Sequence, residues 1–266
     1  MALATRPKVR RLIPDDDCVA LARAREAAGL TVSVCIPARN EAATVADIVG
    51  NLVSALVGGA RVVDEVVVVD DGSIDDTAAV AEASGARVVR RQGPPGKGLA
   101  MADAAAAASG DLLVFLDADV RNFAPHFVTR LLRPLVNGPE GVVLVKAAYR
   151  RPLHGVDGEG GRVTELVARP LIERLFPDLA FVAQPLAGEV AIRRSALDQL
   201  DLEPGYGVEI GMLVDVARRF GVAAIAQVDL GDRVHRNRAL RELADQSRQV
   251  VAAVLDRAGT GRRALP

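Results

Sequence analysis

The sequence predicts an α/β protein with a mostly parallel central sheet and helices on both of its faces. Short apolar runs rich in valine and isoleucine alternate with segments that have helical periodicity. The links between them are short, and right-handed crossovers make successive strands parallel. The strand that begins at Leu112 is apolar through Leu116, which is typical of a strand covered on both faces.

The elements follow one another in a regular order. An N-terminal extension over 1–30 contains a short helix, 17–28, to which we assign no chemistry. Strands are predicted over 31–36, 65–69, 87–90, 112–119, 142–145 and 223–228. Helices are predicted over 41–56, 75–84, 99–108, 125–135 and 163–176, then from about 208, and over 239–257. Asn40 is a suitable cap for the helix 41–56.

Composition limits the possible functions. The chain of 266 residues is 50% hydrophobic and 25% charged, which supports a globular protein with a large core. A net charge of −1 and an aromatic content of 3% argue against nucleic-acid binding. Two cysteines, Cys18 and Cys35, are too few for a disulfide framework, and Cys35 is predicted to be an inert core thiol. With no signal peptide and no apolar window of about 20 residues, the cytoplasm is the expected location.

Two carboxylates follow the strand that begins at Leu112. Strand alternation sends Asp117 and Asp119 to the same side, at the edge where open α/β sheets bind ligands. Two hard oxygen donors there suit Mg²⁺ or Mn²⁺ bound together with a substrate diphosphate. The alternative is that both residues only begin a turn.

Two further segments combine a cation with a predicted helix start. Lys97 stands between Gly96 and Gly98, and the flanking glycines favour phosphate binding over an ordinary solvated loop charge. Arg162 and Thr164 follow a glycine-rich loop over 155–161 that we expect to be mobile, and they offer a guanidinium, a hydroxyl and backbone N–H groups to an anion. The alternative is that Thr164 is a simple helix cap.

The last third of the chain brings two glutamates and a group of cations. Glu189 and Glu209 each lie in a predicted loop, at the boundary of a secondary-structure element. Four cations fall within six residues, which indicates either a phosphate-facing segment or a solvated turn: Arg233, His235, Arg236 and Arg238.

Together these motifs carry a family resemblance. The segments 37–41, 70–73, 96–98 and 117–119 resemble the nucleotide-sugar site of GT-A glycosyltransferases, which have a Rossmann-like fold. The later segments 161–165, 185–189, 205–211 and 234–238 are more specific, and with them the chain is similar to the GT81 family of retaining glycosyltransferases. The likeness runs from about 31 to 249.

The resemblance implies transfer of glucose from UDP-glucose to 3-phospho-D-glycerate, an early step towards methylglucose lipopolysaccharide. It also implies a Mg²⁺ or Mn²⁺ requirement and a homodimer. Residues 31–150 would form the nucleotide-sugar half and 151–266 the acceptor half of one catalytic unit.

The resemblance also implies roles for individual residues. The uridine, ribose and diphosphate would lie against Pro37, Ala38, Arg39, Asn40, Glu41, Asp71, Lys97, Asp117 and Ala118. Asp119 would bind the metal with His235 and Asp117. The acceptor would contact Gly161, Arg162, Thr164, Asn237, Arg233 and Arg238. Glu209 would sit near the acceptor hydroxyl, where with Asp119 it would serve catalysis. Ala118 departs from the serine often found between the two aspartates in this family, but both residues are small, so metal binding should survive.

Three alternatives stay open at this point. Mannosyl-3-phosphoglycerate synthases, which use GDP-mannose, share much of the pattern. A transferase acting on a polyprenyl phosphate at a membrane shares the front half. A nucleotide-binding regulatory module without turnover is a third class, against which the intact Asp117, Asp119 and His235 argue.

Overall fold

The computed structural model describes residues 18–151, 161–234 and 240–259. Within these residues, seven strands form one sheet in the order β3-β2-β1-β4-β6-β5-β7. The strands are β1 (Val32–Ala38), β2 (Glu65–Asp70), β3 (Arg87–Arg90), β4 (Leu112–Phe115), β5 (Leu144–Arg150), β6 (Val190–Arg193) and β7 (Ile225–Asp232).

The sheet is mostly parallel, as predicted. β1 pairs in parallel with β2 and β4, β2 with β3, and β5 with β7. Only β6, among the described strands, runs antiparallel to its neighbours β4 and β5. β6 was not predicted from the sequence, because its short apolar run follows directly on a segment interpreted as a loop.

Helices cover both faces of the sheet. They are α1 (Cys18–Ala27), α2 (Ala42–Leu52), α3 (Thr77–Ala83), α4 (Lys97–Ala107), α5 (His126–Val136), α6 (Arg169–Leu175), α7 (Arg194–Leu197), α8 (Val208–Phe220) and α9 (Leu240–Arg257). π-Helical segments Val53–Gly59 and Thr164–Ala168 extend α2 and precede α6. One apolar cluster packs α1, α2, α3 and α5 on one face, and a second packs α4, α6, α8 and α9 on the other. Alternation along β1 divides its residues between the two: Val34 and Ile36 enter the first cluster, and Cys35 enters the second.

Several predicted boundaries and one predicted cap differ from the structure. β5 and β7 lie two residues further along than predicted at their starts and extend beyond the predicted ends. Asn40 does not cap α2, so that prediction was wrong. Its backbone has a φ of 56°, and its Oδ1 accepts a hydrogen bond from the Ile74 N–H at 2.9 Å. The side chain therefore joins two loops instead of closing a helix end. Of the predicted mobile loop, 155–160 lies outside the described residues.

The segment Ala42–Gly59 is long and apolar enough to cross a membrane by length and composition alone. Its apolar side chains Val45, Ile48, Val49 and Leu52 are buried in the first core cluster. Packing against the sheet thus accounts for these four apolar side chains.

Candidate active site

A cavity of about 480 Å³ opens at the carboxyl ends of β1, β2 and β4. Fifteen of the predicted site residues line it: Pro37, Ala38, Arg39, Asn40, Glu41, Asp71, Lys97, Asp117, Ala118, Asp119, Gly161, Arg162, Thr164, Glu209 and Arg233. The other three, His235, Asn237 and Arg238, lie outside the described residues. The fold therefore brings the donor-side and the acceptor-side candidates into one cleft.

Hydrogen bonds between loops shape the end of the cavity where the predicted nucleotide-binding residues lie. The Asn40 N–H donates to the Ser73 hydroxyl at 2.9 Å, and the Glu41 N–H donates to the Thr77 hydroxyl at 2.9 Å. Asp71 accepts from Arg91 Nη1 at 2.9 Å and from the Gly96 N–H at 2.8 Å. Asp71 therefore also anchors the loop that carries Lys97.

Lys97 lies between two carboxylates. Its Nζ is 2.6 Å from Asp117 Oδ1 and 2.5 Å from Glu209 Oε1. Burial alone would lower the pKa of this ammonium, but Asp117 and Glu209 outweigh burial and raise the pKa well above its ordinary value. Lys97 is thus a permanent cation at the centre of the cleft.

The glycines beside Lys97 have a packing role. A Cβ at Gly98 would lie 1.6 Å from the Glu203 carbonyl oxygen, and one at Gly96 would lie 2.5 Å from the Pro204 carbonyl oxygen. The start of α4 is pressed against that backbone, and the Leu99 N–H donates to the Pro204 carbonyl at 3.1 Å. The close approach of the two backbones is enough to require glycine at both positions, so phosphate binding is not needed to explain them.

Arg233 draws three carboxylates together. Its Nη2 is 2.6 Å from Asp117 Oδ2 and 3.1 Å from Asp119 Oδ1, and its Nε is 2.6 Å from Glu189 Oε1. Arg233 is 2% exposed, so these pairs are shielded from solvent. Burial would raise the pKa of Asp117, but Lys97 and Arg233 hold that pKa far below its usual range.

The donor set fits a divalent cation. One carboxylate oxygen of Asp117 and one of Asp119 both contact Nη2 of Arg233, so the two side chains already face one positive charge. Carboxylate oxygens are the ligands that Mg²⁺ and Mn²⁺ take. Among the residues that the structure describes, no group of three or more His, Cys, Asp or Glu side chains could hold a metal. The predicted third ligand, His235, is outside them.

The segment before β6 supports the carboxylates from behind. A Cβ at Gly188 would lie 2.2 Å from Asp117 Oδ1, so only glycine leaves room for that carboxylate. Glu189 is fully buried, and its Oε2 has no hydrogen-bond partner among the described residues. Lys146 Nζ donates to the Ala187 carbonyl at 2.7 Å, and burial lowers the pKa of Lys146 to about 8. Lys146 was missed because a single lysine inside a strand has no sequence signature.

The predicted acceptor residues Gly161, Arg162 and Thr164 line the cavity where the helical segment before α6 begins. Gly161 has a φ of 74°, and its carbonyl accepts from the Glu165 N–H at 3.0 Å. Thr164 is buried, and its hydroxyl oxygen has no hydrogen-bond partner among the described residues. The interpretation of Thr164 as a simple cap is therefore wrong, because a capping hydroxyl would bond to backbone N–H groups. A buried hydroxyl on a cavity wall can be satisfied by a polar ligand or by ordered water.

The mixed sheet, with carboxylates and a lysine at its carboxyl edge, matches the GT-A glycosyltransferase fold of solved relatives. The model of glycosyl transferase family 2 matches residues 33–199.

More specific matches narrow the family. Glucosyl-3-phosphoglycerate synthase of Mycobacterium tuberculosis is 52% identical over 246 residues, which cover 87% of this chain and 75% of that protein. Its crystal structure with Mn²⁺, UDP-glucose and phosphoglyceric acid matches with a TM-score of 0.84 and 49% identity, over 93% of this chain and 85% of the other. Another, with Mn²⁺, UDP and glucosyl-3-phosphoglycerate, has a TM-score of 0.85 at 49% identity, covering 93% and 86%. The chain belongs to the family of glucosyl-3-phosphoglycerate synthases.

Proposed function

We propose that this protein transfers glucose from UDP-glucose to 3-phosphoglycerate, giving glucosyl-3-phosphoglycerate and UDP. The observation that carries the proposal is that Asp117, Asp119 and Lys97 share one cavity with Arg162 and Thr164. A sugar diphosphate and a small phosphorylated acid each need their own cationic site, and the residues proposed for the two sites line one cavity. The family relationship supports the same donor and acceptor.

Donor binding uses the nucleotide end of the cavity. Residues 37–41 and Asp71 hold the uridine and ribose, and Lys97 lies at the diphosphate. The UDP leaving group gains negative charge in the transition state, and a fixed ammonium stabilises that charge without having to reorient. The carboxylates of Asp117 and Glu209 keep this ammonium charged and in place.

Asp117, Asp119 and His235 are the residues that would hold Mg²⁺ or Mn²⁺. A bound dication there supplies charge neutralisation for the diphosphate. Arg233 keeps the two aspartates oriented, because its Nη2 contacts both of them.

Acceptor binding uses the opposite wall. Arg162 and the Thr164 hydroxyl hold the phosphate of 3-phosphoglycerate, together with backbone N–H groups at the helix start. Gly161, Arg233, Asn237 and Arg238 complete the predicted acceptor contacts.

The transfer retains the anomeric configuration by a front-face route, with the acceptor hydroxyl attacking on the side from which the diphosphate leaves. This route needs no carboxylate nucleophile. Glu209, paired with Lys97, therefore positions groups around the reacting carbon. A covalent glycosyl-enzyme accumulating in a Glu209→Gln variant would contradict this role.

The remaining predictions concern the protein's setting. We expect a cytoplasmic homodimer. Each chain would form one catalytic unit, with residues 31–150 as the donor half and 151–266 as the acceptor half. No observation favours GDP-mannose as the donor or a polyprenyl phosphate as the acceptor.

The experiment offers the protein several nucleotide sugars, including UDP-glucose and GDP-mannose, with 3-phosphoglycerate and Mg²⁺ or Mn²⁺. Mass spectrometry then detects phosphate-bearing glycosides. The proposal requires a hexosyl-phosphoglycerate product that forms with UDP-glucose, depends on the metal and needs no detergent. Preference for GDP-mannose, or consumption of the donor without a phosphoglycerate product, would overturn it.

A further inference from the structure

Arg151 is a second guanidinium at the acceptor end of the cavity. It lines the same cavity as Arg162 and Thr164. A Cβ placed on Gly161 would lie 3.5 Å from Arg151 Cδ, 3.7 Å from Arg151 Nη1 and 3.8 Å from Thr164 Cβ. Arg151 therefore packs against the glycine that begins the acceptor site.

Tyr149 holds this guanidinium in a fixed orientation. Arg151 Nη2 donates to the Tyr149 hydroxyl oxygen at 2.6 Å, and its Cζ stands 4.9 Å from the ring centroid. The Cζ of Arg233 lies 5.6 Å from the same centroid. One aromatic ring thus contacts two arginines of the cavity wall, and a stacked, hydrogen-bonded guanidinium loses little entropy on binding an anion.

Polar groups in this corner are buried without partners. Arg151 Nε and Thr164 Oγ1 have no hydrogen-bond partner among the described residues. Both residues line the same cavity. Each of these buried polar atoms carries a desolvation penalty unless a ligand forms a hydrogen bond with it. The ligand that fits a guanidinium donor is a planar or tetrahedral oxyanion.

The acceptor of the proposed reaction carries two anionic groups. Phosphate stands at one end of 3-phosphoglycerate and carboxylate at the other, with the reacting hydroxyl on the carbon between them. Arg162, Thr164 and the helix start account for the phosphate. We propose that Arg151 binds the carboxylate of the acceptor and so determines specificity for phosphoglycerate over phosphorylated alcohols that have no carboxylate. This inference rests on the proposed function, and holding both ends would fix the hydroxyl at the donor sugar.

Glycerol 3-phosphate is the matching probe, because it keeps the phosphate and the central hydroxyl but has no carboxylate. Calorimetry measures the Kd of each compound for the wild type, Arg151→Gln and Arg150→Gln, with Mn²⁺ and UDP present. Arg150→Gln is the matched control. It removes the same charge one residue away, where the side chain is 62% exposed and pairs with Asp232 at 2.7 Å.

For Arg151→Gln we expect the Kd for 3-phosphoglycerate to rise on the order of 30-fold, as for loss of a charge-assisted bidentate pair. The Kd for glycerol 3-phosphate should stay within about 3-fold, and Arg150→Gln should leave both within about 3-fold. Intact binding of glycerol 3-phosphate also shows that the variant is folded.

Equal weakening of both compounds by Arg151→Gln, or weakening of neither, would overturn the assignment of Arg151. If the wild type binds and glucosylates neither compound, the proposed function itself fails. The two failures are therefore distinguishable.

Discussion

Gly188→Ala tests whether the position of the Asp117 carboxylate determines activity. In the structure the added Cβ would lie 2.2 to 2.6 Å from the three carboxyl atoms of Asp117. Ordinary contact requires about 3.5 Å, so the carboxylate must retreat by about 1 Å. That movement lengthens its 2.6 Å contacts with Lys97 and Arg233.

A displacement of about 1 Å at a reacting centre can cost about 100-fold in rate, or about 2.7 kcal/mol of transition-state stabilisation. We therefore expect kcat/KM to fall about 100-fold, and the affinity for Mn²⁺ to fall with it, in an assay that measures UDP release at saturating 3-phosphoglycerate. Gly50→Ala is the control, because a Cβ at that position in α2 would meet nothing within 4 Å. Activity of Gly188→Ala within about 3-fold of the wild type, at a matched melting temperature, would refute the reasoning.

Three further predictions follow from other parts of the molecule. Arg162→Gln should raise the KM for 3-phosphoglycerate by about 30-fold and leave the KM for UDP-glucose within about 2-fold, because its guanidinium belongs to the acceptor wall; a matching rise in both KM values would contradict this. Burial would raise the pKa of Glu65, but Arg87, 2.6 Å away, and neighbouring hydrogen-bond donors lower it to about 2. The folded-state pKa lies below the ordinary 4.5, so Glu65 stabilises the fold above about pH 4.5 and this contribution is lost as the pH falls towards 2. Denaturant titration should show Glu65→Gln less stable than the wild type by about 1 to 2 kcal/mol at pH 7 and equal to it near pH 2, whereas a pH-independent difference would exclude the linkage. Burial raises the pKa of Cys35 to about 12, so a thiol reagent at pH 8 should modify Cys35 only after unfolding, and its rapid modification in the native protein would be the contrary result.

The features of the fold that the sequence predicted are those that depend on local hydrophobic pattern. Apolar runs located six of the seven described strands, and the short crossovers indicated a mostly parallel sheet. β6 was missed because its short apolar run follows directly on a segment interpreted as a loop, and its antiparallel direction depends on pairing with β4 and β5 across the sheet. Strand direction of this kind is a tertiary property.

The candidate site also divides into residues that a local motif reveals and residues that only the fold brings together. Asp117, Asp119 and Lys97 were found because their motifs are local. Arg233 stands 116 residues from Asp117 in sequence and still contacts it, and no spacing rule predicts such a pair. Gly98 was recognised, but its reason was not: it makes room for the Glu203 carbonyl.

The most direct test of the account is a crystal structure of this protein with Mn²⁺, UDP-glucose and 3-phosphoglycerate bound together. We predict the metal bonded to an Asp119 oxygen at about 2.0 to 2.5 Å and the acceptor phosphate on Arg162 and Thr164. The acceptor 2-hydroxyl should lie about 3 to 3.5 Å from the anomeric carbon. An acceptor bound outside this cavity, or a donor diphosphate far from Asp119 and Lys97, would contradict the proposal that both substrates meet in one cleft.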